Sequence, residues 1–229
     1  MSADFSAYGE ARPPQGDRPQ ELARLLRHPA IWRAGGAARA PVWPTGFPIL
    51  DAGLPGGGWP RSVLIWLLAS RLGMGELALL MPALAAATRR PGARWCAWVA
   101  PPLQPFAPAL ETCGIALERL VIVRASRVGS RPPSLWAFEQ ALGSGMCDIA
   151  FAWAGPLRPR QIRRLQLAAQ RGGTLGVLFR PSRAAQDASP AILRVAVEPL
   201  AGGVRVRLLK SRGGARGTID LRWPEDCRS

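Results

Sequence analysis

A short apolar run, Val63-Leu64-Ile65-Trp66-Leu67-Leu68, predicts a buried strand, and Gly75 to Ala87 predicts a helix. Between them lies Ser70-Arg71-Leu72-Gly73-Met74-Gly75-Glu76-Leu77. This segment has the length and place of a phosphate-binding loop of the pattern G-x-x-x-x-G-K-[ST]. Such a loop uses its Lys on the phosphates and its hydroxyl on magnesium. Here the Lys position is Glu76 and the hydroxyl position is Leu77. A carboxylate repels a triphosphate, and Leu cannot ligate a metal. The pattern predicts a nucleotide-binding scaffold without nucleotide chemistry and without a cofactor.

Strand and helix patterns alternate along the rest of the chain. After the loop come Trp95–Val99, Phe106–Cys113, Leu120–Val123, Ser134–Leu142, Ile149–Trp153, Arg160–Gln170 and Leu175–Phe179. This alternation predicts an α/β fold, a mostly parallel twisted sheet flanked by helices. Ile192–Val197, Val204–Leu209 and Thr218–Leu221 then predict an antiparallel extension, with a hairpin at Gly202-Gly203. Three parts are expected. Residues 1–40 form a flexible segment with a short helix and a linker, 41–222 a core domain, and 223–229 a tail.

The flanks of the loop resemble the RecA recombinase family. Pro44-Thr45-Gly46-Phe47, Leu50-Asp51 and Gly56-Gly57-Gly58-Trp59-Pro60-Arg61 precede the strand in the order that opens a RecA core. The ordered series continues over roughly 44–222, although no single motif in it is specific. On that resemblance the water-activating glutamate falls at Pro102 and the Walker B aspartate at Trp153. The phosphate-sensing glutamine falls near Arg180-Pro181. The joint loss implies a degenerate RecA-like core that is not an enzyme.

Within such proteins the chain resembles the ImuA family, also described as SulA-like. The matching stretches include Leu25 to Arg33, Gly57 to Arg61, Leu72 to Leu77, Trp98 to Pro102, Arg164 to Ala169 and Leu209 to Gly214. The resemblance implies a non-catalytic accessory protein of SOS-induced translesion DNA synthesis. Its implied partners are RecA, an ImuB-type inactive homologue of Y-family polymerases and, indirectly, an error-prone polymerase. Two alternatives stay open: a divergent nucleotide-binding DNA-repair ATPase, and a SulA-like cell-division inhibitor acting on a tubulin-like polymer.

Charge adds a second line. The net charge of +15 is carried by 29 Arg and one Lys. A basic balance favours acidic partners, nucleic acid or an acidic protein face. Arg158, Arg160, Arg163, Arg164 and Arg171 follow one another with no acidic residue between them, so they are candidates for weak, sequence-independent DNA contact. The plainer alternative is a solvated helix face. Lys210 and Arg212 fall where the RecA resemblance places two residues that reach a neighbour's ATP. The plainer alternative is two charges on an edge strand. Leu25, Leu26, Ile31 and Trp32 are candidates for a docking segment, or else for packing on the chain's own core.

Several classes are excluded. One His rules out a histidine metal cluster. Cys96, Cys113, Cys147 and Cys227 form no C-x-x-C pair, and free buried thiols in a reducing cytoplasm are expected for Cys96 and Cys147. No membrane association is expected, because Arg71 and Glu76 interrupt the most apolar stretch.

Overall fold

The computed structural model of the protein describes residues 41–124, 133–187, 191–211 and 217–223. Leu25, Leu26, Ile31, Trp32, Arg212 and Cys227 lie outside these residues, and so do the expectations attached to them.

Among the described residues the chain opens with a small antiparallel pair, β1 (Val42–Trp43) and β2 (Trp59–Pro60), on either side of helix α1 (Pro48–Gly53). Neither this pair nor α1 carries a periodic apolar pattern, and the sequence reading placed no element there. Thr45 holds the turn. Its backbone N–H donates to Asp51 Oδ1 at 2.9 Å, and its hydroxyl accepts from the Phe47 N–H at 3.0 Å.

The main sheet contains β3 (Leu64–Ala69), β4 (Trp95–Val99), β5 (Leu120–Val123), β6 (Cys147–Trp153), β7 (Leu175–Pro181), β8 (Leu193–Leu200), β9 (Gly203–Ser211) and β10 (Gly217–Arg222). Their order is β10-β9-β8-β3-β7-β6-β4-β5. The pairs from β5 to β8 are parallel; β8, β9 and β10 form an antiparallel meander. The expected α/β class, parallel sheet and antiparallel extension are therefore present. Gly202, at φ +69°, makes the turn between β8 and β9.

Helices cover both faces of the sheet. α2 (Met81–Arg89) and α3 (Ala107–Thr112) pack on one face, against Ile65, Leu67, Trp98, Phe151 and Val177. α4 (Pro133–Gly143) and α5 (Pro159–Gly172) pack on the other, where Phe138, Leu142, Ile162 and Leu165 meet Leu64, Trp66 and Leu68. Successive residues of β3 thus enter opposite cores, as the alternation of a strand requires. α5 is closed at both ends: Gln161 Oε1 accepts from the Arg158 N–H at 2.8 Å, and Gly173 ends it at φ +67°.

The helix expected over 75–87 begins later, with a 3-10 turn at Ala78–Leu80 and then α2. Gly75 takes φ +90°, which is not helical, and Pro82 has no N–H and suits only a first turn.

At the start of β6, Asp148 gathers three cations. It is fully buried, at a bulge where the register of β4 on β6 shifts. It accepts from Arg94 Nε at 2.9 Å, Arg90 Nη2 at 2.7 Å and the Arg94 backbone N–H at 3.0 Å. Arg61 Nη2 lies 3.4 Å away. Arg94 continues to the carbonyls of Gly145, Gly172 and Gly173. Burial pushes the Asp148 carboxyl upward, but the Arg94 N–H and the Arg90 and Arg94 guanidiniums outweigh it and hold the carboxyl below its usual range.

Two predictions follow from these contacts. Asp148→Asn leaves three guanidiniums without a counter-charge and should cost about 3 kcal/mol in denaturant unfolding. The carboxyl's folded pKa is depressed, so its stabilisation is complete above the unfolded value and is lost as pH falls. Acid unfolding of the parent should set in below about pH 4, and Asp148→Asn should flatten that limb. The second concerns thiols. Cys96 is fully buried; burial, helped by the neighbouring Asp148 and Cys147, pushes its thiol up to about 12. Cys113 is exposed. Native protein at pH 8 should be alkylated at Cys113, while Cys96 and Cys147 should require denaturant.

Candidate functional site: a closed phosphate loop beside an aromatic cavity

β3 lies between β7 and β8, so the loop that leaves it emerges at the carboxyl ends of the parallel strands, where open α/β sheets bind ligands. In this loop the Glu76 side chain turns back on its own backbone. Oε1 accepts from the Gly73 N–H at 2.9 Å, and Oε2 accepts from the Met74 N–H at 2.7 Å. Glu76 is 3 % exposed. A working phosphate loop points such N–H groups at phosphate oxygens; here a carboxylate from the same loop takes them. Gly75 is fixed in this arrangement by its positive φ and by its neighbours. A Cβ on it would come within 2.6 Å of Val204 Cγ1 and 2.7 Å of Trp223 Cζ2.

Beside the loop is a cavity of about 350 Å³ lined by Glu76, Leu77, Trp98, Pro102, Phe106 and Trp153, among others. Four of the positions that the RecA resemblance marks as blank, Glu76, Leu77, Pro102 and Trp153, thus surround one space, with Gly73 and Gly75 at its border. Ser70 is exposed at the end of β3, and Pro181 ends β7; neither lines it. Its floor is aromatic. Trp153 stacks on Phe179 with centroids 4.6 Å apart, and Trp98 stacks on Phe151 at 5.5 Å. Ala100, at φ +50°, turns the chain sharply after β4, and the prolines that follow form one wall. Among the described residues no cluster of three potential metal ligands exists.

The candidate arginines are exposed: Arg158 precedes α5, and Arg160, Arg163, Arg164 and Arg171 lie on it. They are not a simple solvated row. Arg164 Nη2 forms an ion pair with Glu139 of α4 at 2.6 Å. One helical turn before Glu139 stands Trp136, 64 % exposed. No aromatic residue lies among the arginines in sequence, but the packing of α4 on α5 brings one to the same side of the fold.

Lys210 is not on an edge strand, which corrects that alternative: β9 lies between β8 and β10. Lys210 stands opposite Arg194 of β8. Near the glutamine position, Arg180 is buried, stacks 4.3 Å over Trp66 and pairs with Asp187 at 2.8 Å. Sequence reasoning also missed Leu103 and Phe106, about 70 % exposed at the cavity mouth. The signal was present, since large apolar residues among four prolines between 101 and 108 cannot all enter a strand or helix core.

No family model matches the chain. The cell division inhibitor SulA of Edwardsiella piscicida is 33 % identical over 118 residues, which are 49 % of this chain and 67 % of that protein. SulA of Photorhabdus laumondii subsp. laumondii is 33 % identical over 99 residues, 43 % of this chain and 54 % of that protein. The crystal structure of SulA from Pseudomonas aeruginosa is 26 % identical, with a TM-score of 0.42 over 51 % of this chain and 97 % of that one. With a third of the residues identical across two thirds of the Edwardsiella protein, the chain belongs to the SulA-like family.

Proposed function

We propose that this chain is a non-catalytic protein of the bacterial SOS response that works by protein–protein contact. The observation that carries the proposal is the Glu76 carboxylate seated on the Gly73 and Met74 N–H groups. Two of the donors that would hold a phosphate are already satisfied, and the neighbouring positions are Leu, Pro and Trp rather than magnesium or water ligands.

Two partner readings follow. The SulA relatives are cell division inhibitors, which supports inhibition through contact with a tubulin-like polymer. The second reading is translesion synthesis, with RecA and an ImuB-type polymerase homologue as partners. It draws support from the stretches that resemble the ImuA family, which run from Leu25 to Gly214 and so extend beyond the 118 residues matched to SulA. Sedimentation with the tubulin-like polymer, alongside pull-downs with RecA and ImuB with and without DNA and an ATP analogue, separates the two. Binding to none of them would overturn the proposal.

Calorimetry should detect no MgATP binding, and Glu76→Lys should not create turnover, because Pro102 and Trp153 supply no carboxylate. Glu76→Ala removes the acceptor of two N–H groups and should cost about 2 kcal/mol in unfolding. If the α5 arginines touch DNA, binding should be weak and salt-sensitive. Charge reversal at Arg160, Arg163 and Arg164 should then flatten the salt slope; an unchanged slope would assign them elsewhere.

A further inference from the structure

The cavity beside the closed loop has a volume at the small end of the roughly 300–1,000 Å³ range of ligand clefts. Its lining is mostly apolar. None of the residues that line it is a cation. Its wall of Pro101, Pro102 and Pro105 contributes no backbone N–H, and the Gly73 and Met74 N–H groups are taken by Glu76. The lining therefore favours an apolar group over a phosphate. At the mouth stand Leu72, Leu103 and Phe106, which are 50 %, 71 % and 70 % exposed. Three large apolar side chains around one apolar hollow form the centre of a docking surface rather than of a solvated face.

The border of the cavity is polar and positive. Arg71, next to Leu72, is held over the loop by Met74 Sδ, and Arg124, at the end of β5, donates to Gln104 of the cavity lining. Both arginines are exposed. An apolar hollow bordered by cations complements an apolar side chain flanked by carboxylates.

We propose that the cavity beside the Glu76 loop is a peptide-docking site, which takes one large apolar side chain from an acidic segment of a partner protein. The proposal rests on the reading that the chain acts by protein contact, and it names the surface.

The test uses the full chain and blocked pentapeptides. Asp-Asp-Phe-Asp-Asp should bind saturably and shift the indole N–H resonances of Trp98 and Trp153. Replacing its Phe by Ala, or its Asp residues by Lys, should weaken binding at least about tenfold, the loss expected when a central anchor or its complementary charges are removed. Phe106→Asp and Ala109→Trp, at exposed positions of the mouth, should abolish the shifts while leaving thermal unfolding in place. Trp136→Asp, on α4, should change neither. No binding of the Phe peptide would overturn the proposal. Equal binding of the Ala peptide would overturn it too, since that would reflect charge alone, as would binding by Phe106→Asp at parental strength. A parent that binds the peptide but none of RecA, ImuB or the tubulin-like polymer would count against the proposed function and leave the site standing. Partner binding without peptide binding would do the reverse.

Discussion

The fold depends on one buried carboxylate. Asp148 lies at the start of β6, yet its contacts come from Arg61 before β3, Arg90 at the end of α2 and Arg94 before β4. A single side chain thus fixes where three elements enter or leave the sheet. Arg94 extends the same network to the last carbonyls of α5, so both helical layers are tied to it. With the lower ends of the strands fixed in this way, the upper ends and their loops are free to diverge, and there the candidate site lies.

At those upper ends the site is built from packing. The positions that the RecA resemblance assigns to metal and water ligands hold Leu77, Pro102 and Trp153. The aromatic residues meet as stacked and edge-on pairs. Such pairs stabilise by about 0.5–1.5 kcal/mol each beyond their burial. The loop is closed by its own carboxylate, which takes the Gly73 and Met74 N–H groups.

Much of the fold was legible because parallel strands buried on both faces produce short apolar runs. Trp95–Val99 and Leu120–Val123 have the expected bounds. What could not be read was set by contacts distant in sequence. The helix expected from Gly75 starts later because Glu76 binds its own loop and Gly75 lies against Val204 and Trp223. β1, β2 and α1 are too short to have a period. Exposure of Trp136 depends on how α4 packs on α5, which no local pattern encodes. The residue identities Glu76, Leu77, Pro102 and Trp153 were readable in the sequence, whereas the closed loop and the cavity's apolar mouth appear only once the strands are assembled.

The position of β3 has a kinetic consequence. Its residues are the first of the main sheet to be synthesised, yet its neighbours are Leu175–Pro181 and Leu193–Leu200, near the far end of the chain. Until those strands emerge, the apolar run Leu-Ile-Trp-Leu-Leu-Ala has no partner on either edge. Parallel pairing across such sequence separation is slow, because loop closure must precede the contacts that reward it. Folding of this chain is therefore expected to be late and cooperative, with its most aggregation-prone segment exposed longest and most in need of a chaperone during translation.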